Sequence, residues 1–146
     1  MEVDLDKRYQ TILTLWAGLL MSIVMYFVFM RFIAPEFATP SDSPNNALLI
    51  GMAVASALFV IASFFVKAKL LERSVEKQDA MLVQKAVIIS CAMCEVAAVL
   101  GMVAGWVFTS RISYLLFLMA AAGVLLHFPR RSQLEAASYK RNGGLN

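Results

Sequence analysis

Residues 86–108 read AVIISCAMCEVAAVLGMVAGWVF, twenty-three positions with one charge, Glu95. A helix needs about 20 mostly apolar residues to cross a hydrocarbon core of about 30 Å. This stretch therefore reads as a membrane span. Three others share its character, so the expected spans are about 12–33, 47–66, 86–108 and 112–128. The last has a short apolar block, and its ends borrow flanking residues. Sixty per cent of the 146 residues are hydrophobic, where soluble domains have about half. The blocks leave no soluble domain of useful size between them. The expectation is an all-α membrane protein: four transmembrane helices, arranged as two hairpins, in a single membrane domain over 1–146.

The connections differ in kind. Residues 34–46, APEFATPSDSPNN, form the clearest loop. Pro35, Pro40 and Pro44 lack a backbone donor and push their predecessors away from helix. Residues 67–85 contain both charge signs but no glycine, proline or asparagine. Leu70, Leu71, Val75 and Leu82 recur there at helical spacing. This region is expected to be a helical extension of both flanking spans, reversing near 74–79. In the tail, 129–146, Ser132 and Glu135 have capping-box spacing, and Gly143 and Gly144 would stop the short helix they start.

Basic residues set orientation, because cytoplasmic loops are enriched in them. Lys7, Arg8, Lys67, Lys69, Arg73, Lys77, Lys85, Arg130, Arg131, Lys140 and Arg141 fall on one side of the expected spans. Only Arg31 and Arg111 fall on the other. Both termini and the 67–85 extension are thus expected in the cytoplasm, with the chain multi-pass in the inner (plasma) membrane. The same distribution, with basic side chains at span ends, points to lipid headgroups rather than nucleic acid. The net charge of +3 adds nothing against that.

Glu95 is the one acid deep in any block. An uncompensated charge at that depth costs roughly 3 kcal/mol on insertion scales. Such a residue faces a bundle interior or a wet cavity, and it is the candidate proton- or ion-binding group. No basic residue shares its depth, so the expected form is a neutral carboxyl hydrogen-bonded to an adjacent helix through Ser22, Ser56 or Ser63. Around it, Ser90, Cys91, Cys94, Ala97, Ala98, Gly101, Ala104 and Gly105 share one broad helix face at about 100° per residue. Gly101 and Gly105 form a GxxxG pair, which lets helices approach closely in lipid. Cys91, Cys94, Ala98, Gly101 and Gly105 are the candidate helix-packing residues.

Cys91 and Cys94 make a CxxC, but zinc would want two further ligands and only His127 and Glu95 are on offer. Packing is the expected role. His127, just before Phe128-Pro-Arg-Arg, reads as an interfacial polar tip. There is no phosphate-binding glycine loop and no nucleophile with a base beside it, so the reading leans away from an enzyme, with one using Cys91 and Cys94 as the third alternative, and no cofactor is expected. The partners expected are the bilayer and other membrane subunits or a second copy. Lys69, Arg73 and Lys77 are the candidate cytoplasmic docking residues. The leading functional expectation is a structural or accessory subunit, with a proton- or cation-coupled transport element using Glu95 as the alternative.

The stretch Ile88-Ile-Ser-Cys-Ala-Met-Cys-Glu95-Val-Ala-Ala-Val-Leu-Gly101 resembles the carboxylate helix of rotor-ring proteolipids from ion-driven ATPases. Those helices also set an acid among alanines with a glycine soon after. The resemblance implies an ion- or proton-binding carboxylate at Glu95. The whole chain looks like a small bacterial four-span membrane protein.

Overall fold

A computed structural model describes residues 2–33, 46–108 and 111–138. The proline-rich loop and the end of the tail lie outside them. Every regular element among the described residues is helical. Helix α1 spans Glu2–Val28 and runs on as a π-helical turn, Phe29–Ile33; α2 is Asn46–Lys77, α3 Ala80–Phe108, α4 Ile112–Leu126 and α5 Arg131–Ser138. Three helices are long and apolar enough to cross a membrane. A fourth qualifies if α4 and α5, which meet at a bend of 45°, count together.

Lengths follow from the residues available. Nothing in 67–77 breaks a helix, so α2 continues far past its apolar block. Its 32 residues span about 48 Å at 1.5 Å each, against a core of about 30 Å. The chain reverses at Gln78 and Asp79. Gln78 has φ 51°, the left-handed conformation that ends a helix. The Asp79 amide donates to the Ser74 carbonyl at 3.0 Å, and the Met81 amide donates to Asp79 Oδ1 at 2.9 Å. One residue closes α2, and the next caps α3.

Helix α3 is the hub. It packs against α2 along most of its length, against α4 nearly as closely, and against α1. Its small residues allow this. Cys91, Cys94, Ala97, Ala98 and Ala104 are all fully buried. A side chain at Gly101 would come within 3.1 Å of Leu116 Cβ, and one at Gly105 would overlap Met30, where the π-helical turn crosses. A carbon at Gly123 of α4 would stand 2.7 Å from Cys94 Sγ. The α3–α4 contact therefore rests on glycine from both helices.

Beyond the apolar blocks, the ends of α1, α2 and α3 are tied together by α5. Leu134 and Ala137 are buried in the same apolar cluster as Val83, with Leu71, Leu5 and Tyr9 packed against it. Arg131 pairs with Asp6 and with Glu135, each at 3.0 Å. Glu135 thus turns to Arg131, the residue four before it, and the helix begins one residue ahead of the capping-box serine.

Candidate functional site

At two places, polar residues of the apolar blocks meet across helices. The first lies at the end of α4. His127 closes that helix, with its amide donating to the Gly123 and Val124 carbonyls. It is 0% exposed, so it is a buried group and not the interfacial tip its position suggests. Helix α2 buries it. Ser63 Oγ lies 2.7 Å from His127 Nε2, and the Phe64 ring packs against the imidazole at a tilt of 49°, with 4.5 Å between centroids. Ser63 also donates to the Val60 carbonyl at 2.6 Å and stands 3.4 Å from Cys94 Sγ on α3. One hydroxyl therefore joins three helices.

One turn further along α2, Lys67 is only 8% exposed, and its Nζ donates to the His127 carbonyl at 3.1 Å. The last carbonyls of a helix have no partner of their own, and the helix dipole is negative there. An ammonium supplied by a neighbouring helix meets both needs. Helix α1 adds another donor: Trp16 Nε1 reaches the Val124 carbonyl at 2.8 Å, and its ring meets Phe128 edge-on at 5.1 Å. The end of α4 is thus held by α1 through Trp16, by α2 through Ser63 and Lys67, and by α3 through Cys94. His127 Nδ1 and Ser56 Oγ have no hydrogen-bond partner among the described residues.

The second place is Glu95. Its Oε1 accepts a hydrogen bond from Ser22 Oγ of α1, and Glu95 itself is half-buried. Ser22 is also 2.7 Å from the Leu19 carbonyl. A hydroxyl owns one hydrogen, so these two acceptors compete for it. Of the three serines named as partners from sequence, Ser22 meets the carboxyl and Ser63 meets His127.

The remaining sequence candidates are placed as follows. Cys91 and Cys94 are buried free thiols, and Ala98 and Gly101 are buried on the same side of α3. Gly105 is half-buried against Met30. Lys69, Arg73 and Lys77 are all exposed on the part of α2 that projects past the apolar blocks. No group of three or more histidine, cysteine or acidic side chains able to hold a metal occurs among the described residues.

Reading the sequence alone missed Lys67, Trp16 and Gly123 as members of the network. A signal existed for α2. Ser56, Ser63, Lys67 and Ser74 are spaced 7, 4 and 7 apart, which puts them on one helix face. All four are buried. No protein-family model, curated protein or solved structure matches the chain.

Proposed function

We propose that the chain is a structural or accessory membrane subunit. In this reading it crosses the inner (plasma) membrane four times, as two hairpins with both termini and the α2–α3 turn in the cytoplasm, and docks into a larger membrane complex or onto itself. The observation that carries the reading is the projection of α2. It extends well beyond an apolar core, uses a narrow buried face of Leu49, Met52, Ser56, Ser63, Lys67 and Ser74, and leaves Lys69, Arg73 and Lys77 exposed. The intramembrane polar groups support it too. His127 and Ser63 bond to each other, as polar residues that glue transmembrane helices do. The eleven-to-two division of basic residues supports the orientation.

The Glu95–Ser22 contact favours a second reading, a proton- or cation-coupled transport element. A neutral Glu95 would donate to Ser22 and leave Ser22 free to serve Leu19, which ends the competition for one hydrogen. A carboxyl that takes up and releases a proton there would switch Ser22 between its two acceptors.

One pair of measurements separates the readings. Gently solubilised membranes are run on a native gel, and the purified chain is placed in liposomes under a pH gradient. The subunit reading expects migration above the monomer and no proton flux. A monomer whose flux disappears in Glu95→Gln would replace it with the second reading.

A further inference from the structure

Helix α2 carries a second face, on the side away from the bundle. Gly51, Ala55, Leu58, Ala62 and Phe65 follow one another at intervals of 4, 3, 4 and 3, the spacing of a coiled-coil seam. This line lies about 140° around the helix from the buried one. Leu58 is 61% exposed and Phe65 73%. A carbon built at Gly51 meets nothing within 4 Å. Lipid covers an apolar helix face without help, so these five residues carry nothing by themselves. The charges that continue the same face say what covers it.

Past Phe65 the 4-3-4 spacing runs on through Lys69, Glu72 and Glu76, with Arg73 and Lys77 to one side. The charges are sorted. Glu72 and Glu76 centre about 40° to one side of the seam, and Lys69, Arg73 and Lys77 about 40° to the other. Within the helix, like charges stand four apart along each stripe, and the opposite charges Lys69 and Glu72, and Arg73 and Glu76, stand three apart. The ion pairs recorded among the described residues, Arg131 with Asp6 and with Glu135, involve none of them. A two-fold axis parallel to α2 sets each angle on one helix against its mirror angle on the other. The basic flank of each copy then meets the acidic flank of its mate, twice over. Arg73 falls along the axis between Glu72 and Glu76 of the second copy, roughly 1.5 Å and 4.5 Å from their levels. Lys69 lies on the seam, where the axis sets it against its own copy, and its side chain is long enough to turn from there to Glu72 of the second copy. Copies in one membrane share an orientation, so a parallel pair is the geometry open to them.

We infer that α2 is a homodimer interface: two copies pack seam to seam through Gly51, Ala55, Leu58, Ala62 and Phe65, locked by Arg73 against Glu72 and Glu76. The small residues allow close approach in the membrane, and the charges fix partner and register outside it. The inference rests on the subunit reading above and names the partner.

The test is oxidative cross-linking of the full chain in native membranes. Ala62→Cys should give disulfide dimers. Wild type should not, since Cys91 and Cys94 are 0% exposed, and neither should Met21→Cys on the outward face of α1, where Met21 is 60% exposed. Adding Arg73→Glu to Ala62→Cys should lower the dimer fraction about tenfold, about 1.4 kcal/mol. Co-expressing that chain with one carrying Ala62→Cys, Glu72→Arg and Glu76→Arg should restore it as a disulfide-linked heterodimer. Both charge changes are on exposed positions, and helix content by circular dichroism confirms folding. Absence of Ala62→Cys dimers while the chain still migrates as a higher assembly would overturn the α2 interface and leave the subunit reading standing. Migration as a monomer throughout would overturn both. Indifference of the dimer to Arg73→Glu would also overturn the interface.

Discussion

Replacing Gly123 by alanine should loosen the bundle at one identifiable contact. The added carbon would stand 2.7 Å from Cys94 Sγ, 3.3 Å from Val60 Cγ1 and 3.4 Å from Cys94 Cβ. Ordinary contacts between such atoms lie at about 3.5–4.0 Å, so the sulfur must move by about an ångström. It has little room. Cys94 is fully buried and its sulfur already rests against Ser63, and in a helix one of the three χ1 wells is largely closed. The helices must part instead. Overpacking of this kind costs about 1–3 kcal/mol, offset by up to about 1 kcal/mol for the better helix propensity of alanine. Gly123→Ala should therefore destabilise by about 1–2 kcal/mol. Cys94→Ala alone should also destabilise, by leaving a void where the sulfur was. The double variant should be more stable than the sum of the two, with a coupling of about 1–2 kcal/mol, because the new carbon occupies the space the sulfur vacates. Unfolding of the purified protein in mixed micelles, followed by circular dichroism over a denaturing-detergent titration, measures all three. A Gly123→Ala protein within 0.5 kcal/mol of wild type, or strict additivity in the double variant, would refute the close α3–α4 contact.

Three further outcomes follow from the network at the end of α4. Ser63→Ala removes the partner of His127 Nε2 and should cost about 0.6 kcal/mol, the average for interhelical hydrogen bonds in membranes, and no more than about 1.7 kcal/mol; in a His127→Phe background the same change should cost measurably less. Lys67→Met keeps the stem but leaves the His127 carbonyl without its ammonium, and should cost about 1.5–3 kcal/mol; Lys67→Arg should recover part of that in the same titration. Trp16→Phe keeps the edge-on contact with Phe128 but loses the 2.8 Å bond to Val124, and should cost about 1 kcal/mol while removing one of the two tryptophan signals.

The helical extension of α2 shows how far local reading reaches. In lipid only a helix or a closed barrel satisfies its backbone internally, and a barrel strand alternates apolar and polar residues, so a continuous apolar block of about twenty residues reads as a helix wherever it sits in the chain. Residues 67–77 contain no residue that stops a helix, and α2 runs through them to Lys77. The small-residue face of α3 was legible for a similar reason: 3.6-residue geometry alone puts Cys91, Cys94, Ala98 and Gly101 together, and all four are buried. Glu95 stood out because an acid in an apolar block is expensive anywhere.

Pairing was not legible in that way. Ser63 and His127 are 64 positions apart, Ser22 and Glu95 are 73, and Trp16 and Val124 are 108. Which serine meets which partner depends on how far each helix is turned and slid against its neighbours. That is settled by many small contacts acting together, among them Gly123 against Cys94 and Gly105 against Met30. His127 illustrates the consequence. Its place at the end of an apolar block suggested a polar tip in the headgroups, because sequence position gives depth and says nothing about what lies beside it. The packing of α2 against the end of α4, which sets Ser63 and Phe64 beside the His127 ring and Lys67 on its carbonyl, decided that His127 is buried. The sequence by itself determined the helices, their apolar character and the face α3 would bury, since these depend on neighbours along the chain. The tertiary structure decided the hydrogen-bonded partners, since these depend on neighbours in space.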